Sequence, residues 1–440
     1  MYQIILYLAL IIIGYTNVAL IFPNFDVIID DLSIQKVVIG PWTFSPTAVI
    51  GFVETCFLIV SAITIIFYGY YTDKKGRKKI AYFGCSIWSL ATIAIFFTPP
   101  YSYAYLLTFR LITALGISCL APVGFTILGD MVTPKNRAKV LSFWSLAFTI
   151  GSLAGAVLAP AFIGGPTQYD QWRTPFLYVG IIALILTQLL LLATPPKRAA
   201  RERAFQELIE YKGYEYKYQV KKSDFPVLWK RRTNLWLVIN FVDTIPSGIM
   251  VYWGIVYFKQ HGFDTYTSIF LYIILGISIF LGPFLFGWLG DRWYRRNSKG
   301  RLLMCILCNY LSLIPIYIAI STPFSAEALV AAAFVITMFA IGLFINGGIG
   351  PNWYSTFLDV NVPENRGTMI SLALMFDAIG KGIGPFITGL FVDLQTAFLW
   401  AIVIWLISSI FWLPALFSIS KDIEDVDSLM AQRSKEIASN

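Results

Sequence analysis

The sequence has few charged residues and almost no histidine. Charged residues make up 13% of the 440 residues, against about 25% in a typical soluble domain. The single histidine, His261, lies beside Gly262 in a predicted outer loop. A single histidine in an outer loop cannot form a metal cluster, a Ser-His pair inside the membrane, or a chain of histidines that relays protons. We therefore predict that the protein is not an enzyme and needs no metal and no cofactor.

Cysteines are also scarce, and all of them fall within apolar runs. Cys305 and Cys308 have the C-x-x-C spacing of redox and zinc motifs, but no histidine lies near them. We interpret the cysteines as small apolar packing residues, with redox or metal binding as the alternative. The five are Cys56, Cys85, Cys119, Cys305 and Cys308.

Long apolar runs dominate what is present. Hydrophobic residues make up 57% of the chain and the mean hydropathy is +0.69. About 20 apolar residues in a helix cross the hydrocarbon core of a bilayer. The sequence therefore predicts an all-α integral membrane protein with twelve transmembrane segments in two pseudo-symmetric six-helix bundles. The segments are at about 3–24, 46–69, 80–97, 103–129, 139–163, 175–194, 234–258, 266–289, 302–320, 327–357, 368–391 and 396–418.

Basic residues concentrate in alternate loops. If both termini are cytoplasmic, the segments on that side hold 28 Lys and Arg residues, and the outer loops hold Lys36, Arg173 and Lys259. This asymmetry is the positive-inside pattern, and it explains the net charge of +8 without a nucleic-acid partner. We predict a monomer in the cell (plasma) membrane, in contact with membrane lipids. The side that carries the basic loops is called the basic-loop side below.

Two stretches of the chain repeat each other. Asp130–Arg137 and Asp359–Arg366 share the pattern D-x-x-x-P-x-N-R at an offset of 229 residues, and Gly69–Lys79 matches Gly287–Arg296 more loosely. A large duplicated helical unit in a membrane chain indicates a secondary transporter whose substrate site lies where the halves meet. We predict an N-terminal bundle at 1–194, a cytoplasmic loop at 195–233, a C-terminal bundle at 234–420 and a tail at 421–440.

The two polar segments outside the bundles are predicted to differ. Ala199–Tyr211 has the pattern of a short charged amphipathic helix that lies on the inner leaflet and tethers the halves. The tail after residue 420 is acidic and then mixed in charge, so we expect it to be disordered.

The loop Gly69–Lys79 resembles the signature of the major facilitator superfamily, G-x-x-x-D-[KR]-x-G-R-[KR]-[KR], between its second and third helices. The second copy departs from it at Tyr294, which stands where the glycine would be. Arg110 resembles the arginine of the family's fourth-helix motif, and Gly380, Gly384 and Pro385 resemble its glycine pattern. The resemblance covers residues 1–420, and within the family Asp243–Gly248 and Phe376–Pro385 are similar to Spinster-like and sugar-phosphate-permease-like members.

This resemblance implies a charge latch on the cytoplasmic side. Asp73 would face the positive N-terminus of the eleventh helix, and Arg77 would pair with Asp130. The alternative is a solvated basic turn that only sets the topology. The residues expected to gate are the glycines and charged residues of the repeated motifs: Gly69, Asp73, Gly76, Arg77, Asp130, Arg137, Asp291, Arg295, Asp359 and Arg366.

Five charged side chains lie well inside the predicted membrane segments, away from their ends: Glu54, Arg110, Asp243, Asp377 and Lys381. Such charges are costly in hydrocarbon and usually mark a transport path. We predict that Asp243, Asp377 and Glu54 carry protons, and that Arg110 and Lys381 bind an anionic group of the solute. The alternative pairs Glu54 with Arg110 and Asp377 with Lys381 as static bridges, which leaves Asp243 without a cationic partner.

Three further residues are candidates for contact with the solute. Asn346 and Trp353 lie on the tenth segment, which glycine and proline interrupt, and Tyr252 lies on the seventh. Packing between helices or against lipid is the alternative for each. The sequence thus predicts a symporter that moves a small organic anion with protons by alternating access. A uniporter, an exchanger or a lysolipid transporter of the same fold are alternatives, as are a non-transporting sensor and a membrane-embedded enzyme.

Overall fold

The structure is a computed structural model that describes residues 2–21, 24–39, 42–44, 46–159, 162, 172–193, 218, 224–388 and 393–439. The described chain is helical apart from one antiparallel hairpin between β1 (Val37–Ile39) and β2 (Trp42–Phe44). The first half contains α1 (Tyr2–Ala19), α2 (Phe25–Asp31), α3 (Pro46–Lys75), α4 (Arg77–Phe96), α5 (Tyr103–Ile117), α6 (Leu120–Met131), α7 (Arg137–Leu158) and α8 (Thr174–Leu189).

The second half continues the helical pattern. It contains α9 (Asp224–Lys230), α10 (Arg232–Ile239), α11 (Thr244–Gln260), α12 (Thr265–Tyr294), α13 (Gly300–Ser321), α14 (Leu329–Asn346), α15 (Ile349–Asp359), α16 (Arg366–Thr388), α17 (Leu394–Ser408) and α18 (Leu413–Ser439). All twelve predicted segments coincide with one of these helices or with two joined by a short break, so the predicted all-α membrane fold is confirmed. Within the described ranges, nine spans are long and apolar enough to cross a membrane.

The breaks in the membrane helices have local causes. A 3-10 turn at Asn240–Asp243 joins α10 to α11 just before Pro246, which cannot donate to the carbonyl one turn earlier. Between α14 and α15 the chain turns at Gly347 and Gly348, where a Cβ would lie 2.4 Å from the Ile279 carbonyl oxygen and from the Phe286 Cβ, respectively. These glycines allow the tenth segment to pack directly on α12.

The chain divides into two compact units. The first unit holds residues 1–124 and 147–195, and the second holds 125–146 and 196–440. The core of the first unit centres on Trp172 and Phe176, and that of the second on Tyr257, Phe398 and Trp405. The end of α6 and the start of α7 therefore belong with the second unit, which matters for the charged motif that they carry.

Glycines at related positions of the repeat bring helices into contact in both units. A Cβ at Gly151 or Gly155 of α7 would lie 2.3 or 2.4 Å from carbonyl oxygens of α1. Their counterparts 229 residues later, Gly380 and Gly384 of α16, approach α11 in the same way, with a Cβ at Gly384 2.5 Å from the Ile245 carbonyl oxygen. Close backbone packing through small residues is typical of membrane helices.

The expected disorder of the tail is wrong. Residues 421–439 belong to α18, whose apolar side chains Ile423, Val426 and Met430 are buried. Asp422 Oδ2 accepts a hydrogen bond of 2.9 Å from the backbone nitrogen of Thr233, at the N-terminus of α10. A carboxylate at a helix N-terminus is stabilised by the helix dipole, so the tail is docked rather than free. The predicted amphipathic helix at 199–211 lies outside the described residues.

Candidate functional site

Arg110 is fully buried on α5 and binds α3 and the end of α1. Its Nε and Nη2 each lie 2.8 Å from Glu54 Oε1. Its Nη1 donates to the carbonyl and side-chain oxygens of Asn17 at 3.4 and 3.2 Å, and Nη2 donates to the Val18 carbonyl oxygen at 3.3 Å. The last carbonyls of a helix lack partners within it, and Arg110 donates to two carbonyls in the last turn of α1, one of which, that of Asn17, also accepts from the Leu20 backbone nitrogen at 3.4 Å.

The guanidinium of Arg110 therefore has no nitrogen without a protein acceptor. Its face lies 4.5 Å from the centre of the Phe57 ring. The Glu54–Arg110 ion pair is the contact that the static-bridge alternative expects. Binding of an anionic solute to Arg110 would require Glu54 or Asn17 to release it, and the roles of Arg110 and Glu54 in solute and proton binding stay predictions.

Lys381 is placed differently. It pairs with Asp377 one turn earlier on α16, with 2.8 Å between Nζ and Oδ2, yet 48% of its side chain is exposed. Thr244 Oγ1, on α11, donates to the Asp377 carbonyl oxygen at 3.1 Å. Among the described residues, the ammonium of Lys381 thus forms an ion pair with one carboxylate and remains accessible to an anion.

Asp243 lies at the junction of the 3-10 turn with α11, facing α13 and α17. Its Oδ1 accepts hydrogen bonds of 3.1 Å from Asn309 Nδ2 and from Ser408 Oγ. Trp405 Nε1 donates to the Asp243 carbonyl oxygen at 2.8 Å. Within the described residues no lysine or arginine forms an ion pair with Asp243, so its carboxyl group has only neutral donors.

The hydrogen bonds given for the other predicted solute contacts do not involve Lys381. Asn346 Nδ2 lies 3.5 Å from Ser312 Oγ on α13. Trp353 Nε1 donates to the Leu237 carbonyl oxygen at 3.3 Å. The side chain of Tyr252, on α11, is outside the described part of the chain. The structure thus links Asn346 and Trp353 to neighbouring helices, and their contact with solute stays a prediction.

The repeated motifs at the basic-loop side exchange partners. Arg366 Nη1, in the second copy, lies 3.6 Å from Asp130 Oδ1 in the first. Reciprocally, Arg137 Nη1 of the first copy lies 2.9 Å from Asp359 Oδ1 of the second. All four side chains are buried. Buried ion pairs of this kind are strongly destabilised when one partner is removed, so the two pairs hold the motif copies together.

Asp291 adds a third contact at the same place. Its carboxylate accepts hydrogen bonds from the backbone nitrogens of Ala138 at 3.2 Å and Lys139 at 2.8 Å, in the first turn of α7. Arg301 Nη2 lies 2.5 Å from Asp291 Oδ1, and Arg301 Nη1 pairs with Asp359. An anion at a helix N-terminus is the relationship that the resemblance implied for Asp73.

Arg301 is the functional candidate that the sequence reasoning missed. An alignment of the second loop with the first that allows no gap places Arg295 at the position of Arg77. In the structure Arg295 is exposed and contacts Asn136, whereas Arg301 is buried, stacks on the Tyr294 ring and joins Asp291 to Asp359. Gly300 and Arg301 repeat the pair Gly76–Arg77 after six extra residues, and allowing for this insertion would have found Arg301.

The first copy of the loop lies in the first unit. Gly69 is buried, and Gly76, between α3 and α4, has a φ of +97°, which favours glycine. Asp73 and Arg77 are buried as well. Asp130 belongs to the second unit, so the expected pairing of Arg77 with Asp130 stays a prediction.

Comparison with known proteins decides the family. A sequence model of the Major Facilitator Superfamily matches residues 6–360. The chain belongs to this superfamily. The resemblance inferred from the loop motif is therefore confirmed, and the chain is an integral membrane protein of a family of transporters, which are not enzymes.

Relatives within the superfamily are distant. The chain is 24% identical over 362 residues to Protein spinster homolog 1 of Xenopus laevis, covering 78% of this chain and 65% of that protein's length. It is 28% identical over 155 residues to the niacin transporter NiaP of Acinetobacter baylyi, covering 34% and 33%. The solved proton:xylose symporter XylE has the same fold, with a TM-score of 0.68, 15% identity and coverage of 93% and 94%.

Proposed function

We propose that the chain is a secondary active transporter that carries a small organic anion together with protons by alternating access. The observation that carries this proposal is the charge arrangement of the second unit. Lys381 offers an accessible ammonium beside a single carboxylate, and Asp243 is a buried acid whose partners are all neutral. The relatives support a solute of metabolite size, since niacin is a small carboxylic acid.

A proton and an anion would bind this unit cooperatively. When Asp377 is ionised, it neutralises Lys381, and a solute carboxylate or phosphate would have to compete with it. Protonation of Asp377 removes that competitor and leaves the ammonium for the solute. By linkage, bound solute then favours the protonated acid by the same factor, which is the thermodynamic condition for symport.

The motif contacts supply the gate. We propose that the basic-loop side is cytoplasmic and that the pairs Asp130–Arg366 and Arg137–Asp359 close it. The positive-inside distribution of Lys and Arg supports this orientation. Opening requires both pairs and the Asp291 contact with α7 to break, and a loaded carrier would have to compensate their loss.

The test begins with ligand identification. A thermal-shift screen of the purified protein against organic acids, sugars, sugar phosphates and lysolipids finds the solute class, because binding raises apparent stability. Uptake of the hit into proteoliposomes is then measured with and without a pH gradient, and again with a protonophore. We expect an anion to bind and to accumulate only with the gradient.

A matched variant separates coupling from carriage. Asp377→Asn should lose gradient-driven accumulation and keep exchange of solute down its own gradient. If wild-type uptake does not depend on the pH gradient, the protein is a uniporter or an exchanger. A neutral sugar as the sole ligand would overturn the anion assignment, and a lysolipid would favour the lipid-transporting alternative.

A further inference from the structure

Asn309 has an unusual hydrogen-bonding imbalance. Both hydrogens of its Nδ2 are used, since it donates to Asp243 Oδ1 at 3.1 Å and to the Trp405 carbonyl oxygen at 3.2 Å. Its Oδ1 is fully buried and has no protein donor within the described residues. A buried amide oxygen without a donor is destabilising, so this orientation needs a reason.

The amide cannot relieve the imbalance by turning over. In the reversed orientation Oδ1 would face Asp243 Oδ1 and the Trp405 carbonyl oxygen, which are both acceptors. The donor that would satisfy Oδ1 is therefore one that the present arrangement does not supply. A proton bound to the neighbouring carboxyl group is such a donor.

We propose that Asp243 and Asn309 form an acid–amide pair that holds one of the transported protons. A proton from water adds to the Asp243 carboxylate, and the resulting O–H donates to Asn309 Oδ1 while Asn309 Nδ2 still donates to the acid. Two hydrogen bonds then close a ring between acid and amide, and every polar atom of Asn309 is satisfied. This inference rests on the proposed proton coupling and names a residue for it that lies outside the charged set.

The surroundings of Asp243 fit a neutral acid. Ser408 Oγ donates to the carboxyl group at 3.1 Å, and the charged groups near enough to act on it are Asp377 and Lys381 of α16. Cys305 is the titratable neighbour on α13. Asp377 and Lys381 already neutralise each other, so no neighbour offers the net positive charge that a buried carboxylate needs.

The pair also connects to the tenth segment. Ser312 Oγ donates to the Asn309 carbonyl oxygen at 2.7 Å, and Asn346 Nδ2 lies 3.5 Å from the same hydroxyl. Asn346 lies at the end of α14, beside the break at Gly347 and Gly348. A rearrangement of Asn309 on proton binding would thus change the contacts of Asn346, which lies on a helix predicted to contact the solute.

Infrared difference spectroscopy of the reconstituted protein between high and low pH tests the pair without a substrate. We expect a C=O stretching band of a protonated carboxyl group that disappears in Asp243→Asn. In Asn309→Leu the band should move to higher wavenumber, because the acid loses both hydrogen bonds to the amide. Ser408→Ala should shift the band in the same direction by a smaller amount. Asn309→Ser replaces Asn309→Leu in this experiment if the leucine variant does not fold.

Asn352→Leu is the matched control. Asn352 is also a buried asparagine with an oxygen that lacks a described donor, but its Nδ2 bonds to Phe286 and Gly348 rather than to Asp243. In Asn352→Leu the carboxyl band should have the same wavenumber as in the wild type. The pair is overturned if no carboxyl band is lost in Asp243→Asn, or if the band that is lost there stays in place in Asn309→Leu.

Transport separates this inference from the proposed function. Asn309→Leu should lower gradient-driven accumulation about tenfold, the effect of roughly one hydrogen bond, and spare exchange. If the band behaves as expected and wild-type uptake does not depend on the pH gradient, proton coupling is wrong, and the pair stands only as a site whose proton is not transported. If uptake follows the gradient and the band belongs to another acid, the pair is wrong and coupling stands.

Discussion

Asp130 and Arg366 occupy the first and last positions of two copies of one motif, and they bind each other across the copies. Arg137 and Asp359 complete the exchange. Each aspartate thus pairs with the arginine of the other copy. If the two pairs form the proposed gate, we expect them to break in a single cooperative step.

The first prediction concerns this cooperativity. In a double-mutant cycle with Arg137→Gln and Asp359→Asn, each single change should lower the thermal midpoint of the purified protein. The double variant should lose less than the sum, with a coupling energy of about 0.5–3 kcal/mol. Additive losses would show that the 2.9 Å contact between Arg137 and Asp359 contributes no pairwise energy.

A second prediction compares Arg301 with Arg295. Arg301→Gln removes the partner of two buried aspartates, and breaking buried pairs of this kind costs ~3–5 kcal/mol. It should lower the thermal midpoint and impair uptake. Arg295→Gln is the control, because an exposed arginine contributes little, about 0.5 kcal/mol or less. A larger effect in Arg295→Gln than in Arg301→Gln would indicate that Arg295, rather than Arg301, is the arginine of the motif.

The third prediction concerns anion recognition by Lys381. Lys381→Gln removes the ammonium and should raise the apparent Km for an anionic solute at least about tenfold, if one charged contact is worth ~1.5–3 kcal/mol. Lys259→Gln provides a control lysine in a predicted outer loop. An unchanged Km in Lys381→Gln would indicate that the solute does not bind Lys381 on α16.

Arg110→Lys should show a stability effect rather than an affinity effect. Lysine keeps the positive charge but cannot reach Glu54, Asn17 and Val18 at once, as the planar guanidinium does. We expect a lower thermal midpoint with little change in Km for the solute. A rise in Km of an order of magnitude with unchanged stability would return Arg110 to the solute site.

The fifth prediction concerns the docked tail. Arg433 Nη1 lies 2.7 Å from the buried Glu364 Oε1, so Arg433→Ala removes this ion pair from a buried carboxylate. The thermal midpoint should fall by an amount equivalent to about 1–3 kcal/mol. Lys435→Ala, at an exposed position two residues on, should leave it unchanged. Equal midpoints for the two variants would show that the tail contact is dispensable.

Hydropathy and the repeated motifs were enough to predict the membrane helices, because hydrocarbon accepts few other structures. They could not predict the partners of Arg110, which depend on where α1 ends and exposes the carbonyls of Asn17 and Val18. Arg301 was missed because the loop match allowed no insertion.

The helix of the tail was missed for a different reason. Ile423, Val426 and Met430 follow helical spacing, yet they are sparse among charged residues. Their burial comes from docking, which composition alone does not reveal. The spacing of these three apolar residues was the available signal.

The exchange of partners between motif copies is the contact pattern of a two-fold symmetric dimer, in which residue i meets residue j and j meets i. Two separate chains that each carried a single motif could form both ion pairs by associating as such a dimer. Within one chain, the two copies are free to differ. Lys135 and Glu364 occupy the same place in the two motifs, and only Glu364 binds the arginine of the C-terminal helix. The docked tail is thus an asymmetry that became possible once the chain held both halves.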